Sequence, residues 1–272
     1  MKIKEITCKN CMTKSKITDY VINPYIGCEH RCTYCYADFM KRFQNISENW
    51  GEFVYAKINC AELLKKELEK NKPGHIWISS VTDCYTPIEG KYKLMRKILK
   101  TINNSPHKNK YTLEILTKST LVKRDLDLIK ELNAELGISI NTTETKITKI
   151  LEPKASSPNQ RIKILKQAKE KGIKTFGFIS PVILGITDLE KLFKELSFCE
   201  YVWVEMLNTK QSVLKRLTPK IKNKIPKKYS EYKKMLDNYE KSYMEIKNKV
   251  KELSKKYDLP IYFAGGMANN KI

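Results

Sequence analysis

His75–Val81 reads HIWISSV, a short aromatic and β-branched run, and Lys91–Ile102 after it has apolar residues at helical spacing. The same pairing recurs on both sides. Upstream, Tyr20–Ile26 reads as a strand and Asn59–Glu69 as a helix, with Ala61, Leu63, Leu64 and Leu68 as its apolar positions. Downstream, strands at Tyr111–Leu116, Leu136–Ile140, Lys174–Ile179 and Tyr201–Met206 alternate with helices at Leu121–Leu132, Asn159–Lys171 and Leu189–Leu196. Gly172 suits a helix C-terminal cap, where a left-handed residue carries no Cβ to clash. The strands are near-continuously apolar, as expected when helices cover a parallel sheet. Six such strand–helix repeats predict an α/β fold, a partial (β/α)6 TIM-like barrel with its chemistry at the C-terminal strand ends. The alternative is an open doubly wound sheet, but no glycine-rich dinucleotide turn follows the first strand.

After Leu217 the character changes. Thr218–Lys228 (TPKIKNKIPKK) reads as a basic loop. Tyr229–Tyr257 reads as one long amphipathic helix, with apolar residues at 232, 235, 236, 239, 243, 246, 250, 253 and 257. Pro260–Ala264 suits a last short strand, and Gly265–Gly266 a frayed end. The expected organisation is a barrel over 1–217, with an N-terminal arm over about 1–19, and a C-terminal helical extension over 218–272 in the same domain.

Composition narrows the function classes. The chain has 272 residues, 41% hydrophobic and 10% aromatic, which excludes a disordered tail or a fibrous repeat. No apolar run approaches the roughly 18 residues that a membrane helix needs. The start, MKIKEITCKN, lacks the apolar segment of a secretory signal. A cytoplasmic location and no membrane partner are therefore expected. Lys and Arg number 52 against 30 Asp and Glu, a net charge of +22, which suits a polyanionic partner. Only six of the basic residues are Arg, the side chain whose planar fork marks phosphate or base recognition. Charge alone leaves a nucleic-acid substrate and a generally lysine-coated surface both open.

Cysteines stand at 8, 11, 28, 32, 35, 60, 84 and 199, five of the eight within the first 35 residues. A cytosolic chain does not ordinarily use them as a disulfide framework, so the crowding points to metal. Asn23–Ala37 reads NPYIGCEHRCTYCYA. Cys28, Cys32 and Cys35 thus have the spacing C-x3-C-x2-C directly after the first expected strand. Three thiolates on one tight loop can ligate three irons of a cubane and leave the fourth without a protein ligand. Tetrahedral zinc would want a fourth protein ligand, for which His30 inside the loop is the candidate.

C-x3-C-x-aromatic-C at this place, with Tyr34 as the aromatic, resembles the radical S-adenosylmethionine superfamily. The wider pattern resembles its spore photoproduct lyase-like branch: SSVTDCYTPIE at 79–89, LTKSTLVKRDLDLI at 116–129, SINTT at 139–143, LEPKASSPNQR at 151–161 and SPVILGITD at 180–188. These segments arrive in the family's order. The resemblance implies a [4Fe–4S] cluster on Cys28, Cys32 and Cys35, whose open iron chelates S-adenosylmethionine. It implies an enzyme that cleaves this cofactor reductively to a 5′-deoxyadenosyl radical, which abstracts hydrogen from the substrate. The cofactor supplies the hard chemistry, and the protein supplies orientation and a dry cavity. An electron donor such as ferredoxin or flavodoxin is the implied partner.

The resemblance also distributes roles. Tyr34 would pack near the adenine. Thr82 and Asp83 would meet the methionine ammonium, which a carboxylate suits. Lys118 matches the contact to the methionine carboxylate, and Arg161 would clamp that carboxylate. Ser139 and Asn141 would take the ribose hydroxyls. Glu205 and Asn208, at the sixth strand end, would meet the substrate. Cys84 would return a hydrogen atom to a product radical as a catalytic residue, although the family's donor cysteine lies elsewhere in its motif. Glu152 reads as structural. Cys8 and Cys11 form a C-x2-C able to join an auxiliary metal site, while Cys60 and Cys199 read as small buried hydrophobes. The substrate class stays open among a nucleic-acid lesion or base and a peptide, protein or small metabolite. A reading of another class is a zinc-binding, non-enzymatic RNA-binding module.

Overall fold

Residues 1–43 and 45–264 are described by the structure, a computed structural model; the end expected to fray at Gly265–Gly266 lies outside them. Two compact units share the chain. The first takes Met1–Arg31, Ala37–Gly137 and Glu170–Lys174. The second takes Cys32–Tyr36, Ile138–Lys169 and the described residues from Thr175 onward.

The first unit carries β1 (Lys2–Ile6), β2 (Met12–Lys14), β3 (Tyr20–Ile22), β4 (Tyr25–Ile26), β5 (Phe53–Lys57), α1 (Cys60–Lys70) and β6 (Gly74–Ile78). It continues with α2 (Glu89–Tyr92), α3 (Leu94–Asn103), β7 (Tyr111–Thr117) and α4 (Leu126–Glu131). Strands β3, β6 and β7 run parallel in that order, with β2 antiparallel outside β3. A separate small sheet has the order β1–β5–β4. Ile76 and Ile78 of β6, and Leu113 and Ile115 of β7, alternate into the core, as a two-residue period dictates. Helices α1 and α3 bury Leu64 and Leu68, and Ile98, Leu99 and Ile102, at three- and four-residue spacing.

The chain enters the second unit within β8 (Glu135–Ile140). There follow α5 (Thr145–Leu151), α6 (Pro158–Glu170), β9 (Thr175–Val182), α7 (Leu189–Leu196) and β10 (Tyr201–Met206). Helices α8 (Gln211–Lys224), α9 (Tyr229–Asp237) and α10 (Tyr239–Tyr257) precede β11 (Ile261–Ala264). Strands β9, β10 and β11 are parallel neighbours. Val202, Val204 and Met206 of β10 are buried while Tyr201, Trp203 and Glu205 are half-buried, so the pattern alternates where sequence suggested a uniformly apolar run.

Several expectations are corrected. Tyr20–Ile26 is two strands in two sheets, because Pro24 has no N–H to give a ladder and the Asn23 side chain bonds the Ser80 hydroxyl and the Val81 N–H instead. The helix expected over Lys91–Ile102 breaks at Lys93, which takes a left-handed φ of 53°. The basic segment Thr218–Lys228 is no loop: α8 runs through it to Lys224 with Pro219 inside. Val213, Leu217 and Ile221 are buried one turn apart, and that apolar seam outweighs the hydrogen bond Pro219 removes. The boundary expected at Leu217 therefore falls in mid-helix. The long helix at Tyr229–Tyr257 is two, separated at Asn238.

Two of the eight cysteines also behave differently from expectation. Cys11 and Cys60 form a disulfide across 49 residues. Cys60 opens α1, and Glu67 two turns later accepts the N–H groups of Cys11 and Met12 at 3.0 and 2.8 Å, which brings the two sulfurs together. Cys11 is thus removed from any auxiliary metal pair with Cys8, and Cys60 is more than a buried hydrophobe. No helix among the described residues is long and apolar enough to cross a membrane.

Candidate functional site

In the first unit, β4 leads into Gly27, whose φ is +86° and whose missing Cβ would stand 2.4 Å from the Phe53 carbonyl oxygen. Only glycine fits there, and it opens the cysteine loop. The Thr82 hydroxyl donates to the Gly27 carbonyl at 2.6 Å. Cys28 is half-buried. The Glu29 N–H donates to the Thr86 hydroxyl at 3.0 Å, and its carboxylate accepts the Ile88 N–H at 2.5 Å. His30, 1% exposed, holds Nε2 at 3.0 Å from an Asp83 carboxylate oxygen. The segment at 79–89 is therefore a clamp on the first half of the loop.

Asp83 is the centre of that clamp. Besides His30, it accepts the Thr117 hydroxyl at 2.7 Å and the N–H groups of Lys118 and Tyr85, each at 2.8 Å. Burial pushes its carboxyl up, but His30 and these donors outweigh burial and hold it down at about 2. Four protein groups occupy a carboxylate expected to meet the cofactor ammonium. The structure makes Asp83 a brace that joins the loop to the ends of β6 and β7.

In the second unit, the Cys35 N–H donates to the Cys32 carbonyl at 3.1 Å, a tight turn that keeps both thiols on one short segment. The Thr33 N–H donates to the Leu151 carbonyl at 2.8 Å. Tyr34 is buried and donates its hydroxyl to Glu152, which pairs in turn with Arg161. Burial first, and the Glu152 charge second, push the Tyr34 hydroxyl well up, so it stays a donor. Arg161 is 1% exposed, with Nε donating to the Ser156 carbonyl at 2.7 Å and Nη1 to the Ser139 carbonyl at 2.9 Å. Three of its N–H donors are thus held by protein acceptors, although the sequence pattern suggested a clamp on a cofactor carboxylate. Arg161 instead fixes the second half of the loop to the end of β8 through Glu152 and Tyr34. Arg216 of α8 adds a hydrogen bond to the Cys35 carbonyl.

The remaining candidates divide. Asn141, 1% exposed beyond the end of β8, has an amide nitrogen with no protein hydrogen-bond partner. A buried orphan donor at a strand end fits a hydroxyl-rich ligand, because leaving it unmade costs about 1–3 kcal/mol. Ser139 is buried beside it in sequence. Lys118 places its backbone against Asp83, with its side chain half-buried. Cys84 is 0% exposed; burial, then the neighbouring Asp83 charge, push its thiol well up. A thiol with no surface does not reach a substrate. Glu205 is half-buried and accepts the Ser180 hydroxyl at 2.8 Å. Asn208 accepts the Lys210 N–H at 3.0 Å and so shapes the turn into α8. Sequence reasoning missed Glu89, a fully buried carboxylate that accepts N–H groups from Leu94 and Met95 and bonds Tyr25 and Arg124. Its signal was its place in SSVTDCYTPIE; that of Arg216 was the scarcity of arginine.

Cys28, Cys32 and Cys35 are half-buried and stand outside any disulfide. Among the described residues no His, Cys, Asp or Glu side chains are gathered in a group of three that would hold a metal ion. The fit to a cluster therefore rests on donor chemistry: three thiols on one loop, backed by neutral and cationic side chains, with the nearby carboxylates already engaged by protein.

A family model described as the Radical SAM superfamily matches residues 22–196, which includes the whole cysteine loop. An uncharacterized protein of Methanocaldococcus jannaschii is 39% identical over 254 residues, 92% of this chain and 88% of that protein. An uncharacterized protein of the Acidianus two-tailed virus is 34% identical over 70% of this chain and 67% of its own length. Among solved structures, a spore photoproduct lyase variant with bound AdoMet and dinucleoside spore photoproduct superposes with a TM-score of 0.69. The match covers 96% of this chain and 81% of that one at 15% identity, a likeness of fold.

Proposed function

Since this chain belongs to the radical S-adenosylmethionine superfamily, and is thereby an enzyme that uses a [4Fe–4S] cluster and S-adenosylmethionine, we propose that Cys28, Cys32 and Cys35 hold the cluster. The observation that carries this is the loop itself. Its three thiols lie inside the family-matched span and outside any disulfide, and both halves of the loop are braced by buried side chains. When bound, the cluster supplies one electron for reductive cleavage of S-adenosylmethionine to a 5′-deoxyadenosyl radical, which abstracts hydrogen from the substrate. The chain's own part is positional. His30 and Asp83 fix the loop near Cys28; Tyr34, Glu152 and Arg161 fix it near Cys32 and Cys35. Asn141 offers a donor to the cofactor, and Lys118, in LTKS after β7, is the residue we assign to the methionine carboxylate from the family pattern. The placement of Lys118 directly after β7 and of Asn141 directly after β8 supports the partial (β/α)6 barrel expected from sequence.

For the substrate, a nucleic-acid lesion or base is the reading we favour. Net charge is +22, and α8 with the segment after it carries Lys215, Lys220, Lys222, Lys224, Lys227 and Lys228. A fold shared with an enzyme that binds a dinucleoside photoproduct supports the same class. Lyase or DNA-repair chemistry would follow from that substrate. Modification of a peptide, protein or small metabolite is the alternative. An electron donor of the ferredoxin or flavodoxin type would complete the system.

Anaerobic reconstitution is expected to give a brown protein with about four irons per chain. Dithionite and S-adenosylmethionine should then yield 5′-deoxyadenosine, and Cys32→Ala should abolish it. A colourless protein loaded with zinc would overturn the enzyme reading. Deuterium passing from a labelled oligonucleotide into 5′-deoxyadenosine would select the nucleic-acid class; no transfer from any nucleic acid would select the alternative.

A further inference from the structure

The Cys11–Cys60 disulfide is buried: Cys11 is 1% exposed and Cys60 0%. A dissolved thiol cannot approach either sulfur without the protein opening. Cys8, by contrast, is half-buried and keeps its thiol. Three contacts seat it on the residue that precedes Cys60. The Asn59 side-chain Oδ1 accepts the Cys8 N–H at 2.9 Å, the Asn59 Nδ2 donates to the Cys8 carbonyl at 3.0 Å, and the Cys8 Sγ lies 3.4 Å from Asn59 Oδ1. The Glu67 carboxylate pins the other side of the turn through the Cys11 and Met12 N–H groups. Cys8 is also three residues from Cys11, the separation at which thiol–disulfide oxidoreductases pair their cysteines.

We propose that Cys8 is a relay thiol, a thiol–disulfide exchange site that carries reducing equivalents from a dithiol reductant to the buried Cys11–Cys60 bond. Burial pushes the Cys8 thiol up, so the thiol is the resting form, and its minor thiolate fraction, the proton lost to solvent, attacks Sγ of Cys11. The Cys8–Cys11 bond forms as the Cys11–Cys60 bond breaks, and Cys60 leaves as a thiolate that takes up a proton. No net oxidation occurs in this step. An external dithiol then attacks the more accessible Cys8–Cys11 bond. The dithiol is oxidised to its disulfide, and Cys8 and Cys11 are both returned as thiols. The consequence is mechanical: the link between the start of β2 and the start of α1 opens while β1 stays paired to β5.

The test is residue-resolved alkylation mapping of the folded holoenzyme under dithiothreitol. In the wild type, Cys11 and Cys60 should begin as a disulfide, and Cys60 should become alkylatable no later than Cys11. In Cys8→Ser, opening should be slowed roughly tenfold or more, because the exchange partner is gone. A second variant covers a folding failure of the first: Cys60→Ser, left in air, should accumulate a Cys8–Cys11 disulfide. Equal opening rates in wild type and Cys8→Ser overturn the proposal. So does a Cys60→Ser protein in which Cys8 and Cys11 both stay alkylatable. Cluster content reports separately on Cys28, Cys32 and Cys35, so a loss of iron chemistry and a loss of the relay are distinguishable.

Discussion

Glu152→Gln is the substitution that most directly tests whether the cysteine loop is braced through a buried ion pair. Arg161 is 1% exposed and Glu152 is equally buried, so water screens neither charge. The guanidinium donates to the Ser156 and Ser139 carbonyls at 2.7 and 2.9 Å, and only Glu152 balances its charge in that network. The amide keeps the shape and one acceptor oxygen but removes the counter-charge. Breaking a buried pair from one side costs about 3–5 kcal/mol, and the retained acceptor places this case near about 3 kcal/mol. Arg161→Met should cost a similar amount. The double variant should recover most of it, since replacing both partners by uncharged side chains leaves no stranded charge. Urea unfolding followed by circular dichroism gives the three differences, and their non-additivity gives the coupling. Iron retention after gel filtration reports on the loop, and should fall in both single variants. A cost below about 1 kcal/mol for Glu152→Gln, or additive costs in the double variant, would refute the reasoning.

Asn141→Leu should separate stability from cofactor binding. Removing an orphan buried donor should leave the cofactor-free protein equally stable or stabilise it by about 1 kcal/mol, while S-adenosylmethionine affinity by calorimetry falls about tenfold. Asp83 should leave a signature in acid. Its carboxyl is held at about 2 against an ordinary 3.8, so its contribution is complete above about pH 4 and disappears as pH falls through about 2. The gap amounts to about 2 kcal/mol, and acid titration of Asp83→Asn should show that much less slope on the acid limb. Tyr34→Phe, which strands one Glu152 oxygen, should cost about 1–2 kcal/mol and lower iron retention without changing the fold by circular dichroism. Cys60→Ser removes a cross-link spanning 49 residues, and loop-closure entropy puts its stabilisation at about 4 kcal/mol in urea unfolding.

The local grammar of the chain was readable directly. Periods of two and of three to four residues located β6, β7, β8, β9, β10, α1, α6 and α7, because burial of one face imposes those periods wherever the element forms. The C-x3-C-x2-C spacing marked a group of thiol ligands, because ligation by adjacent thiols is a property of a few consecutive residues, and the resemblance of the wider pattern to the radical S-adenosylmethionine superfamily implied the cofactor. Strand β1 and helix α5 were not legible. Strand β1 is almost wholly exposed and carries no apolar period, and α5 is only seven residues long. Helix α8 defeated its own Pro219 and lysines because three buried residues, Val213, Leu217 and Ile221, set its face.

What the amino-acid order could not supply was the partner of each polar group. Asp83, Arg161 and Asn208 all read as ligand contacts, since a polar side chain has the same place in the sequence pattern whether it braces or binds. Only the fold gave Asp83 four protein donors, walled Arg161 in with Glu152 and two carbonyls, and left the Asn141 amide without a partner. It also joined Cys11 to Cys60 rather than to its neighbour in sequence. Pairing is decided by distance across the folded chain, and a residue's chemistry becomes a role only once its neighbours have taken, or left, its hydrogen bonds.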